Sequence, residues 1–298
     1  IMVNKKVSVI VNFHNGESYI KNCIQSILDQ DYTNLEVILW DNNSNDNSVK
    51  IIEKFKDDRI KYYRNNIKVP LYKARNQAIK VSTGDLIAFV DCDDWWEKNY
   101  ISSRENFFSV DNYDYFYCNT YFFYENKNKK KIYKKYFLTS GKIFSELSKD
   151  YFLIISGVIF KKEIFLKYGM FNENFNILGD YDFFMRISQH ANAHSINSAL
   201  INYRVHEKNY SKLHKKNFYE EYKEWYNHQL QQNNIEFKVN NPNFKKRLNY
   251  LELDYLLYEK NKNIFLFKKI LKHKNFLELI KFIILFIIPK RFYKILKK

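Results

Sequence analysis

The chain has 298 residues, 46% of them apolar, which suffices for one large α/β domain or one domain with a helical appendage. With only 6 Gly and 3 Pro, a Gly/Pro-rich disordered or collagen-like chain is excluded. The net charge of +16 is unevenly placed: residues 201–298 carry 22 basic and 9 acidic side chains, against 27 and 24 in residues 1–200. That asymmetry excludes a chain-wide nucleic-acid footprint and marks a separate task for the C-terminal third. The three cysteines, Cys23, Cys92 and Cys118, have no zinc-ligand spacing and imply no disulfide framework. The first apolar run, VSVIV, is a strand pattern rather than a leader, so a reducing, cytoplasmic location is expected.

The first hundred residues alternate strand and helix. A β-branched run, Val7–Phe13, ends in polar HNGE. Tyr19, Ile20, Cys23, Ile24, Ile27 and Leu28 then fall at helical spacing, with Ser18 as the expected N-cap. LEVILW (35–40) is a second strand, ending at DNNSND; NSVKIIEKFKD reads as a helix and IKYYRN as a third strand. LYKARNQAIKVS is another helix, closed by Gly84, and DLIAFV is a fourth strand. Continuous apolar strands between amphipathic helices predict a parallel sheet covered on both faces. Further on, 107–140 reads as a strand pair with an exposed turn at 125–131, ISGVIFKKEIF as a strand entering a helix, and GDYDFFMRISQH as a helix with Asp180 and Asp182 in its first turn. SALINYRVHEKNYS reads as a strand and polar loop, and the pattern is helical from about 215.

Ligands of such sheets bind beyond the carboxyl ends of the strands, where NFHN, DNNSND and DCDD all fall. Asp91, Asp93 and Asp94 follow a buried strand directly. One Asp would serve as a helix cap; three repel one another unless a divalent cation sits among them. Hard oxygen ligands suit Mg²⁺ or Mn²⁺, ions that bridge to substrate phosphates. A Walker A lysine loop and a G-x-G-x-x-G are both lacking. Asn12, His14, Asp41 and Asn42, at the first two strand ends, are therefore the candidates for reading a base or ribose, with turn formation the competing reading of DNNSND. Arg75 could reach a diphosphate or base, or cap the sheet edge.

Six segments in order, VSVIVNFHN, VILWDNNSNDNS, ARNQAI, GDLIAFVDCDDWW, GDYDFFMRI and YRVHEKNYS, resemble the family 2 glycosyltransferases over residues 5–212. The resemblance implies the GT-A fold: an α/β, Rossmann-like architecture with a mixed, mostly parallel sheet flanked by helices. It implies an inverting sugar transfer from a nucleotide-diphosphate donor, by family habit a UDP-sugar, to a glycan or lipid-linked acceptor. By the same resemblance, Asn12, His14 and Asp41 line the nucleoside pocket, with Asn42, Arg75 and Cys92 counted among the donor-binding residues. Asp91 touches the ribose, Asp93 or Asp94 the metal, and His206 lies in a loop closing over the diphosphate and joins the metal ligands. Asp180 is the catalytic base, with Asp182 as alternative. The family's usual Glu-Asp reads Gly179-Asp180 here, its Arg-Asn-x-Gly reads Arg75-Asn76-Gln77-Ala78, and Asn42 stands at its second acidic position.

The division expected is a catalytic domain over 1–214 and a basic helical extension over 215–298. Within the extension, Phe276–Ile288 is apolar but too short to span a bilayer, which takes about 20 residues. Apolar and basic residues together suit an interfacial helix. Residues 264–298 are thus expected to rest on the inner face of the cell membrane, with packing on the catalytic domain or homodimerisation as the competing uses. Two other functions remain open at this point: a binding module that lost catalysis, suggested by Gly179, and a nucleotidyltransferase.

Overall fold

Along each buried strand the side chains alternate between two apolar layers. The structure, a computed structural model, describes residues 4–258. In β1 (Val7–Phe13), Val7, Val9, Val11 and Phe13 enter one layer and Ile10 the other. β2 (Leu35–Asp41) sends Leu35, Val37 and Leu39 one way and Ile38 and Trp40 the other. β4 (Leu86–Phe89) divides in the same manner. This two-residue period with both faces buried is what a parallel sheet between helical layers requires.

Helix α1 (Ile20–Leu28) covers the first layer, and α2 (Ser48–Ile52) follows β2. β3 (Ile60–Arg64) closes the sheet edge, and α3 (Leu71–Val81) covers the second layer before β4. A two-residue strand β5 (Trp95–Trp96), the long β6 (Tyr115–Tyr124) with its hairpin partner β7 (Lys129–Ile132), and α4 (Phe144–Lys149) come next. Then follow β8 (Val158–Lys161), α5 (Glu163–Lys167), α6 (Gly179–Ile187), β9 (Ala193–Val205), α7 (Tyr210–Leu213), α8 (Lys215–Gln231) and α9 (Ile235–Tyr258). The strands form one sheet in the order β3-β2-β1-β4-β8-β6-β9-β5, with β7 on β6. β3, β2, β1 and β4 are parallel; β8 runs antiparallel between β4 and β6.

Two local expectations change. Ser18 does not cap α1: Tyr19 occupies the cap position without a side-chain bond, and the Tyr19 and Ile20 amides donate to the Gly16 carbonyl instead. The helix after DNNSND shortens to the five residues of α2, because beyond it the Lys54 and Phe55 amides bond only three residues back, to the Ile51 and Ile52 carbonyls. At the opposite end of the sheet, Glu36 is buried and accepts from Ser8 Oγ, Thr83, Lys6 Nζ and Lys61 Nζ. Gly84 follows because a Cβ there would stand 2.7 Å from the Lys6 carbonyl and the Ser8 amide.

The start of α8 coincides with the expected boundary at 215, yet α8 and α9 share a core with the rest. Tyr222, Trp225, Phe237 and Phe244 belong to the same buried cluster as Tyr181 and Phe184 of α6. The Phe237 and Phe244 rings stack at 4.7 Å, and Trp225 meets Tyr181 edge-on at 5.1 Å. Among the described residues no helix is long and apolar enough to cross a membrane. The surface-binding segment expected at 264–298 lies outside the described residues.

Candidate active site

Parallel pairing in register brings the chemistry to one edge. Phe13 pairs with Asp41, Asn12 with Trp40 and Ile10 with Phe89, so HNGE, DNNSND and DCDD leave the sheet side by side. The first two loops are laced together. The Asn15 amide donates to Ser44 Oγ, the Gly16 amide to Ser48 Oγ, the Glu17 amide to Asp46 and the Asn45 amide to Asn15 Oδ1, each at 2.9 Å. Asn15 and Asn43 adopt positive φ values of 58° and 64°, the left-handed region that Asn tolerates.

This lacing assigns most of DNNSND to structure. Asp41 is fully buried: one oxygen accepts from the Ser44 amide at 2.7 Å, the other from Tyr62 Oη at 2.7 Å, with Arg64 Nη1 at 3.3 Å. Asn42 clamps the chain before α3, donating to the Val69 carbonyl and accepting from the Val69 amide. Both side chains, expected on the donor, are engaged inside the protein. His14 Nδ1 lies 3.1 Å from the Asn42 carbonyl. Asn12 differs: its two amide atoms are buried and have no hydrogen-bond partner among the described residues. Unlike the Asp41 and Asn42 side chains, this amide is not committed to another described residue.

The three acids of DCDD separate into three environments. Asp91 accepts from Arg75 Nη2 at 2.5 Å; Arg75 is itself almost fully buried. Asp93, partly exposed, places Oδ2 2.9 Å from His206 Nε2. Asp94 is buried, and both of its oxygens are used: Oδ2 accepts from Ser156 Oγ at 2.7 Å and Oδ1 from the Arg204 amide at 2.9 Å. Burial, with Asp93 and Asp91 close by, pushes the Asp94 carboxyl well above the usual range. The Asp94 carboxyl, expected on the metal, is thus engaged inside the protein through both oxygens. Cys92 also turns inward: it packs on the apolar layer under α1, its Sγ near Gly16, and burial raises its thiol well above the ordinary value.

Among the described residues no group of three His, Cys, Asp or Glu side chains converges as a ready metal cage. Asp93 beside His206 still suits a divalent cation whose other positions come from phosphate oxygens and water. In the arrangement present, His206 Nδ1 accepts from the Lys208 amide at 3.2 Å, so the proton sits on Nε2 and points at Asp93. His206 is thus a partner holding Asp93.

Helix α3 brings a second acid near the first. Tyr72, Arg75 and Asn76 lie three and four residues apart, on one face. Asn76 pins the Phe171 backbone in both directions, fixing the approach to α6. Asp180, in the first turn of α6, accepts from Tyr72 Oη at 3.0 Å and from the Tyr181 amide at 2.8 Å. Arg75 attracts both Asp91 and Asp180. Burial raises the Asp180 carboxyl above the usual range, opposed chiefly by Arg75. Asp182 is two residues on and faces away, toward Arg186 at 3.4 Å and the Trp225 and His228 side of α8. The geometry brings Asp180, not Asp182, to the strand ends.

Two residues of this cluster had no separate signal in the sequence. Ser156 Oγ accepts from the Asp91 amide as well as donating to Asp94, and its carbonyl accepts from Trp96 Nε1. The β4–β8 register carries Ser156 opposite Asp91, a pairing that no local pattern reveals. Arg204 donates Nε to the Asp93 carbonyl and lies over the rings of Tyr19 and Trp95 at 4.8 and 4.6 Å. It stands in YRVHEKNYS two residues before His206, and that spacing was its only pointer.

The parallel half-sheet, the antiparallel β8 and the acids at the strand ends define a GT-A-type protein. Residues 8–171, more than half the chain, match the family model described as Glycosyl transferase family 2, and the chain belongs to that family. Two relatives from Escherichia coli are UDP-Glc:alpha-D-GlcNAc-diphosphoundecaprenol beta-1,3-glucosyltransferases. WfaP is 37% identical over 115 residues, which are 39% of this chain and 46% of WfaP. WfgD is 33% identical over 144 residues, 48% of this chain and 55% of WfgD. The chain thus spans about half the length of these curated relatives. Staphylococcus aureus TarS, solved in complex with UDP-GlcNAc, superposes with a TM-score of 0.63 at 20% identity over 84% of this chain and 72% of TarS. The mannosyltransferase PcManGT of Pyrobaculum calidifontis, solved with GDP-Man and Mn²⁺, gives 0.61 at 16% identity over 83% and 70%. At these identities the two structures speak for the fold.

Proposed function

We propose that this chain transfers a sugar, with inversion, from a UDP-sugar to a hydroxyl of a glycan or lipid-linked acceptor at the cytoplasmic face of the membrane, in bacterial surface polysaccharide synthesis. The observation that carries the reading is the placement of Asp93, free to face a ligand, and Asp180, raised by burial, on either side of the Arg75–Asp91 pair. The donor and acceptor named for the two E. coli relatives support the substrate classes.

An acceptor hydroxyl is a poor nucleophile, and Asp180 takes its proton as it attacks the anomeric carbon. The nucleoside diphosphate leaves from the opposite face, so one displacement inverts the configuration. Asn12 turns its unpartnered amide toward the nucleoside, and Arg75 holds Asp91 for the ribose. A divalent cation at Asp93, Mn²⁺ or Mg²⁺, supplies positive charge against the leaving diphosphate when bound.

Calorimetric titration of UDP with and without Mn²⁺ tests the donor half of this reading. Binding is expected to need the metal and to weaken by more than about tenfold in Asp93→Ala, the loss of a direct charge contact. Metal-independent binding of equal strength in that variant contradicts the assignment.

A further inference from the structure

Gly179 stands where the family's pattern has an acid, and the structure shows what occupies the space. A Cβ on Gly179 would lie 2.4–2.6 Å from three carbons of the Tyr72 ring, distances that real Cβ atoms do not show. The ring is 2% exposed and packs on Phe171, with Arg75 over its face at 5.3 Å. Its hydroxyl lies 3.0 Å from both Asp180 Oδ1 and the Ile177 carbonyl, the backbone that leads into α6. A glycine that admits no side chain and a phenol that bonds the next residue form one fitted unit.

We propose that Tyr72 is the positioning residue for Asp180 in this chain. Its ring takes the room a side chain at 179 would need, and its hydroxyl fixes the carboxylate rotamer and the start of α6. Gly179 is therefore the counterpart of Tyr72 and not a mark of lost catalysis. The inference rests on the reading of Asp180 as the base.

The groups facing Asp180 are Tyr72 and Arg75 from α3, Asp91 from the end of β4 and Tyr151 from the segment before β8. The Tyr72 hydroxyl stabilises the ionised carboxylate, so removing it raises the proton affinity of Asp180. The base works deprotonated, and activity rises with pH through its pKa. Tyr72→Phe keeps the ring and deletes the bond.

The test is the pH profile of kcat, with Mn²⁺ and a turned-over UDP-sugar, for wild type, Tyr72→Phe, Gly179→Ala and Asp180→Asn, with donor affinity and Tm measured on each. Tyr72→Phe is expected to lower kcat roughly tenfold, less than the ~10²–10⁴-fold that a general base itself contributes, to move the acidic limb to higher pH, and to leave donor affinity unchanged. Gly179→Ala is expected to lower kcat, with partial recovery when combined with Tyr72→Leu, which vacates the ring's space. An unmoved acidic limb in Tyr72→Phe overturns the positioning role even where Tm falls. Retained turnover in Asp180→Asn overturns the base reading itself, and the two failures are separately visible.

Discussion

Asp93 and Asp94 are neighbours in sequence, yet one side chain meets His206 at a partly open edge and the other is sealed between Ser156 and the Arg204 amide. Charge crowding in DCDD was legible from the residues, and so was its place at the end of a buried strand. Which acid is left partly open and which is sealed was not, because that depends on the β4–β8 register and on the long-range approach of β9. The division has a measurable consequence. Asp94→Ala strands a buried hydroxyl and a buried amide, a loss of about 1–3 kcal/mol each, and should lower Tm by several degrees while UDP–Mn²⁺ affinity stays within a few-fold of wild type. Differential scanning fluorimetry and calorimetry on that variant check both halves; a stable Asp94→Ala protein that no longer binds UDP would return Asp94 to the metal. Asp41 and Asn42 carry the same lesson, since their side chains, expected on the donor, make turn and loop bonds set by distant residues.

Helix α6 carries Asp180, the base proposed above, and it is held from outside the segment that resembles the family. Glu221 of α8 accepts from the Asn176, Ile177 and Leu178 amides, each at 2.9 Å, just ahead of the first turn of α6. Those amides precede the positive end of a helix, where a carboxylate is favoured. The apolar periodicity of GDYDFFMRI announced the helix and its buried Phe183 and Phe184. It left Asp180 and Asp182 as rivals, because two residues of helix turn them to opposite sides and only the packing partners decide between them. Glu221→Ala should loosen the start of α6, costing about 2 kcal/mol for three amides returned to water or left unpaired, and should lower kcat while UDP affinity holds. Hydrogen exchange at residues 176–182 reads the first effect directly. Unchanged exchange there would remove α8 from the account of catalysis.

At the scale of the whole molecule, alternation of strands and helices was enough to foresee the parallel half of the sheet, with β1, β2, β3 and β4 close to their expected bounds. The remaining half joins β6, β8 and β9 across long sequence gaps, and such pairing leaves no periodic trace in the sequence. The helical character from 215 was equally legible, but not its role. Through residue 258 those helices complete the core around Tyr181 and Trp225 and brace α6, so the acid at position 180 is held by elements before and after it in sequence. The central claim is that the assembled chain moves sugar with Asp180 as the base. It is tested most directly by the single-turnover rate of sugar transfer from a UDP-sugar with Mn²⁺, wild type against Asp180→Asn, at equal donor occupancy. The expected result is a loss of about 10²–10⁴-fold in rate, the usual span of general-base catalysis, with donor affinity unchanged; turnover within a few-fold of wild type would contradict the account.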